Sequence, residues 1–168
     1  MISRFFTFEE SATLLEGAYH FPLVVLSLLV AIFASFMAFN VAGQAAVTTD
    51  HLRRNTLLGT GSIALGGGIW SMHFLGMTAF DLCVSVEYDP LITGLSALPG
   101  IAAAWVALNL LIKTRISVSE VILGGVLVGA GIGTMHYSGM AAMEMAPLLR
   151  YNLPMFALSI IVAVLLAM

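Results

Sequence analysis

The chain has 168 residues, of which 60% are hydrophobic and 9% charged, and its mean hydropathy is +1.04. Soluble domains carry roughly a quarter charged residues, so a water-soluble enzyme and a disordered chain are both excluded. A net charge of −3, with six basic residues and no basic run, gives nucleic acid nothing to bind. The single cysteine excludes an intramolecular disulfide and a thiolate zinc cluster. What remains is an integral membrane protein.

Residues 3–16 suggest a short interfacial helix through Phe5, Phe6 and Phe8. A helix needs about 20 apolar residues to cross the hydrocarbon core. The apolar stretches between charges predict five membrane helices, near 21–43, 56–80, 90–112, 120–143 and from 153 onward. The expected fold is an all-α membrane protein, a polytopic helical bundle in contact with the lipid bilayer. The first helix is too long for a cleaved signal peptide, and Glu9, Glu10 and Glu16 precede it where such a peptide is basic. Pro99-Gly100 is a candidate break in the third helix.

Orientation follows from Lys and Arg in the short loops. Arg53 and Arg54 lie between helices 1 and 2, and Lys113 and Arg115 between helices 3 and 4. The loop after helix 2 carries Asp81, Glu87 and Asp89 and no basic residue; Arg4 and Arg150 are the exceptions. The balance puts the N-terminus outside the cytoplasm in a multi-pass arrangement.

An internal repeat organises the chain. Residues 66–77 read GGGIWSMHFLGM and residues 129–140 read GAGIGTMHYSGM. The odd-numbered helices repeat as well, each opening on a tyrosine followed by a proline: Tyr19 and Pro22, Tyr88 and Pro90, Tyr151 and Pro154. Each then carries Leu-Ser, at Leu26-Ser27, Leu95-Ser96 and Leu158-Ser159, and Asn40 and Asn109 each lie 13 residues beyond their serine. Proline suits a first helical turn, where no N–H bond is lost. The unit is a helical hairpin whose even-numbered helix ends in M-H-x-x-G-M. The third copy has its odd helix alone, so residues 1–168 read as a C-terminally truncated domain without a sixth helix or third motif.

On a helical wheel Gly125, Gly129, Gly133, His136, Met140 and Met143 fall within about 80°. The second helix repeats the stripe as Ser62, Gly66, Trp70, His73, Met77 and Phe80. Small residues allow close helix approach, and the simplest expectation is that each stripe meets its own copy. His73 and Met77 are spaced i, i+4, as are His136 and Met140, so each pair faces one space. Imidazole with soft thioether sulfur is a ligand set suited to copper, Cu(I) above all. The candidate metal ligands are therefore His73, His136, Met77 and Met140, with Met72 and Met135 about 100° away on the wheel. Further candidates are His20, Met143 and Cys83, with Asp81 and Glu144 as carboxylates that orient an imidazole. The bland alternative makes the histidines hydrogen-bonded helix bridges and the methionines packing. In register duplication favours the functional reading. His20, aligned with Asp89 and Asn152, reads rather as a helix cap.

With Met72-His73-Phe74-Leu75-Gly76-Met77 and Met135-His136-Tyr137-Ser138-Gly139-Met140, the chain resembles the bacterial MHYT domain along essentially its whole length. That resemblance implies an integral membrane sensor of the bacterial inner membrane, with repeated motifs near the outer face. It implies a bound metal, proposed to be copper in that family, and sensing of a diatomic gas such as O2, CO or NO. It also implies a cytoplasmic output domain of the GGDEF or EAL type, acting on cyclic di-GMP, and for synthesis a homodimer. The family's motif residues fall on Met72, His73, Met135 and His136. Phe74-Leu75 and Tyr137-Ser138 stand where the family has Tyr-Thr.

Two other classes compete. In a haem-binding or electron-transfer protein His73 and His136 would be axial ligands, detectable by visible absorption. A copper transporter is disfavoured because no charge sits at mid-membrane and the candidate ligands cluster at one end. No nucleophile–base pair or phosphate loop supports an enzyme in this chain.

Overall fold

The structure is a computed structural model that describes residues 6–7, 17–82, 86–144 and 151–168. Its helices are α1 (Phe21–Val47), α2 (His51–Thr78), α3 (Pro90–Leu95), α4 (Ala97–Leu111), α5 (Val118–Ala141) and α6 (Leu153–Leu166). With α3 and α4 as two halves of one span, these are the five expected helices of an all-α membrane bundle. Phe21–Val47, Pro90–Leu111 and Val118–Ala141 are long and apolar enough to cross a bilayer. The α2 helix is equally long, at 28 residues, but carries Arg53, Arg54 and a run of glycines, and α6 is a shorter apolar helix.

Helix ends follow local chemistry. Pro22, Pro90 and Pro154 occupy first turns, as expected. The connection between the first two helices is far shorter than the charge pattern suggests: α1 runs to Val47 and α2 begins at His51, capped by the Asp50 carboxylate accepting from the Leu52 N–H. Charges mark where a helix leaves hydrocarbon, not where it stops. At α5, Ser117 and Glu120 form a reciprocal capping box, and Lys113 reaches Glu120 at 2.5 Å.

The third helix is broken at Ser96 rather than at Pro99-Gly100. Pro99 offers no N–H to the Leu95 carbonyl one turn earlier, and its ring crowds that carbonyl, so the distortion falls three residues upstream.

Three short ribbons, which the helical periodicity did not disclose, join the segments flanking the helices. Strands β2 (Gly17–Tyr19) and β3 (Phe80–Leu82) pair antiparallel, as do β4 (Glu87–Tyr88) and β5 (Met143–Glu144). Strand β1 (Phe6–Thr7) pairs parallel with β6 (Tyr151–Asn152). An interfacial helix is therefore not what forms at Phe6, because residues 6–7 are committed to a ladder; Phe5 and Phe8 lie outside the described residues. The repeat governs the ribbons: the His20 N–H donates to the Ala79 carbonyl at 2.7 Å, and the equivalent Asp89 N–H donates to Ala142 at 2.9 Å.

Packing repeats too. A Cβ on Gly66 would lie 2.5 Å from the Ile101 Cα, and one on Gly129 would lie 2.8 Å from the Val164 Cα, at matching positions of the two copies. The glycines of the α2 stripe thus meet α4 and those of the α5 stripe meet α6, so the two stripes do not pack on each other along their glycine runs. Each motif helix, α2 and α5, the even-numbered spans of the repeat, is wedged between the odd-numbered spans (α1, α3–α4 and α6) before and after it, with Gly68 against Ala34 and Gly131 against Ala103 on the other flank. Most buried residues are small, among them Ala34, Ala38, Ala42, Ala103 and Ala104, while Phe33, Phe36 and Phe39 of α1 face outward. This is the pattern of helices that pack by close approach and present large apolar side chains to lipid.

Candidate metal centre

Although α4 packs against both α2 and α5, the two motif helices meet at their M-H-x-x-G-M ends. The imidazoles of His73 and His136 stand with ring centroids 4.8 Å apart at an interplanar angle of 61°. Gly139 permits this: a Cβ there would lie 3.1 Å from the Phe74 Cζ and 3.5 Å from the His73 Nε2. The aromatic after each histidine packs on it edgewise, Phe74 on His73 at 5.5 Å and Tyr137 on His136 at 4.9 Å. Phe74 also meets Trp70 at 5.0 Å and Tyr88 at 5.9 Å. Burial pushes the Tyr88 phenol above its usual range, so it stands as a neutral hydroxyl on the rim.

The Nε2 of His73 is buried and has no hydrogen-bond partner. Such an orphan in an apolar site costs on the order of 1–3 kcal/mol, and a second imidazole is already beside it. Two imidazoles on one ion place their centroids about 5–6 Å apart, given metal–nitrogen bonds of about 2 Å. The observed 4.8 Å lies just short of that range.

The other candidates separate. Met72, Met77 and Met140 are half-buried, while Met135 is 2% exposed and packs on Gly100 of α4. Met143 is half-buried in β5, opposite Tyr88. Asp81 and Glu144 are exposed on the rim strands; with the His73 Nε2 unpartnered, neither carboxylate orients that nitrogen. His20 occupies the N-cap position of α1, but its side chain makes no capping bond, whereas Asp89 and Asn152 cap α3 and α6. Cys83 lies outside the described residues. Among the described residues no three His, Cys, Asp or Glu side chains cluster for a metal.

Sequence reasoning singled out the Leu-Ser pairs as repeated but assigned them no role. Each serine fastens its odd-numbered helix beside a motif. Ser27 Oγ donates to the Met72 carbonyl at 3.0 Å, Ser96 Oγ accepts from the Trp70 Nε1 at 3.0 Å, and Ser159 Oγ lies 2.5 Å from the Tyr137 hydroxyl. Their recurrence in all three odd-numbered helices was the available signal.

A family model described as "Bacterial signalling protein N terminal repeat" matches residues 10–60, 66–124 and 129–168. The chain belongs to the MHYT family. It is 40% identical over 151 residues to the bifunctional diguanylate cyclase/cyclic di-GMP phosphodiesterase MucR of Pseudomonas aeruginosa, covering 90% of this chain and 22% of that protein. It is 35% identical over 146 residues to the cyclic di-GMP phosphodiesterase NbdA of the same organism, covering 87% and 18%. To the signaling protein YkoW of Bacillus subtilis it is 32% identical over 148 residues, again covering 87% and 18%. The chain therefore spans about a fifth of the length of these relatives. No solved structure matches it.

Proposed function

We propose that this MHYT domain is the membrane sensory part of a signalling protein and holds a copper ion between His73 and His136. The observation that carries this reading is the imidazole pair at 4.8 Å with the His73 Nε2 buried and unpartnered. Among the described residues no third His, Cys, Asp or Glu joins the pair, and the remaining donors in this reading are the methionines: Met77 and Met140, one turn beyond the histidines, before Met72, and Met135 last because it packs on α4. Thioethers favour Cu(I) over Zn(II). Bound copper would supply a redox-active centre able to react with a diatomic gas such as O2, CO or NO. The chain's own contribution is to hold two neutral imidazoles in an apolar, water-poor setting.

Haem is the weaker reading. Axial imidazoles stand on opposite faces of one iron with centroids roughly 6 Å apart, and Phe74 and Tyr137 occupy the flanks a porphyrin would need. Copper transport lacks a mid-membrane charged path, and nothing in the site supports catalysis by this chain. In relatives named for cyclic di-GMP turnover this region is a small part of the protein. Here too a GGDEF- or EAL-type cytoplasmic domain would deliver the output, in a homodimer where synthesis needs paired domains.

Anaerobic titration with Cu(I) against a chromophoric chelator tests the site. Wild type should take up copper, and the His73→Ala/His136→Ala double variant should not. Equal uptake by both would return the histidines to packing residues.

The basic connections at Arg53, Arg54, Lys113 and Arg115 support a reading in which the motif ends face the extracytoplasmic side of the bacterial inner membrane. A membrane-impermeant thiol reagent applied outside should label Glu87→Cys but neither Leu52→Cys nor Ile116→Cys in a Cys83→Ser background. The reverse labelling would invert the topology.

A further inference from the structure

Three odd-numbered helices share one pattern, yet one alone is broken. Pro99 aligns with Val30 of α1 and Val162 of α6, both within continuous helices. Among the positions where the two motif helices differ, α2 has Trp70 where α5 has Gly133. The two irregularities touch. Trp70 Nε1 donates to the Thr93 carbonyl and to Ser96 Oγ, each at 3.0 Å, and Ser96 Oγ donates on to Thr93 at 2.6 Å. Ser96 keeps right-handed helical dihedrals (φ −62°, ψ −17°), so the interruption is one of hydrogen bonding. Carbonyls freed within a membrane helix persist where protein groups re-satisfy them, and a side chain from another helix bonds the Thr93 carbonyl here.

We infer that α3 is a strap pivoting at Ser96, that Trp70 latches it, and that it sets the spacing of the two imidazoles. The strap touches both motif helices. Towards α2 it carries the Trp70 bonds and the Tyr88 ring against Phe74, which packs on His73. Towards α5 it is fixed by β4 on β5 and by the Asp89 N–H on Ala142, just past the second motif. A shift of His73 relative to His136 must therefore move the strap or release the latch. Trp70 is a positioning residue that acts through Ser96 and does so whether or not a metal is bound.

Trp70→Phe keeps a ring against Phe74 and removes the N–H. In metal-free protein in nanodiscs, amide exchange over 90–96 should rise about three- to tenfold, the equilibrium effect of one lost hydrogen bond, with residues 118–141 unchanged. Carbethoxylation of His73 by diethyl pyrocarbonate should rise by a similar factor. Adding Pro99→Ala restores an N–H to the Leu95 carbonyl, welds α3 to α4, and should return both readouts to wild-type values. The inference fails if exchange over 90–96 does not change, if it rises equally in α1 and α5, if His73 reactivity stays fixed, or if Pro99→Ala reverses neither effect.

Discussion

Gly66→Ala is expected to destabilise the bundle strongly. The added Cβ would sit 2.5 Å from the Ile101 Cα and 2.6 Å from its nitrogen, and backbone cannot rotate aside as a side-chain tip can. Overpacking of this kind costs about 1–3 kcal/mol and more where backbone must move, and α2 and α4 would have to part along their whole contact. Gly129→Ala repeats the clash against Val164 at 2.8 Å and should fall close behind. Gly67→Ala is the control, with nothing within 4 Å of its Cβ. Thermal unfolding in detergent, followed by circular dichroism, should show large losses for the first two and none for the third. If all three variants unfold together with wild type, the glycines are not the contact surface between the helices.

That contact also shows how much of the fold the sequence made legible. The GGGIW and GAGIG runs announced close approach, and the offset copies announced a repeated hairpin, because both are periodic and lie within one segment. Which helix fills the stripe is a tertiary fact. A glycine run accepts any partner backbone, and connectivity delivers the next odd-numbered helix before it can deliver the other copy. The histidines meet because the stripes end beside one another, with Gly139 leaving room for His73 and Phe74. The ribbons escaped notice because strands of two or three residues have no period to detect. The break at Ser96 was displaced from Pro99 because proline acts on the carbonyl a turn behind it. His20 shows the opposite limit. Its alignment with Asp89 and Asn152 placed it at an N-cap, but imidazole did not supply the bond that a short carboxylate or amide supplies there.

Loss of either histidine alone should cost the copper site nearly as much as loss of both. A ligand contributes more than the groups that orient it, whose removal already costs about 10- to 100-fold in affinity, so His73→Ala and His136→Ala should each weaken Cu(I) binding by more than about 100-fold. The double variant should add little, because one remaining imidazole holds no shared ion and the losses are not additive between residues that act together. Met77→Leu and Met140→Leu should lower preference for Cu(I) over Cu(II) while leaving both nitrogens in place. X-ray absorption at the copper edge of the loaded protein reads those ligands most directly. Wild type should show two imidazole nitrogens and at least one sulfur, with one imidazole lost in His136→Ala; a spectrum of oxygen and nitrogen neighbours without sulfur, the same in wild type and in the double histidine variant, would contradict a His/Met copper centre.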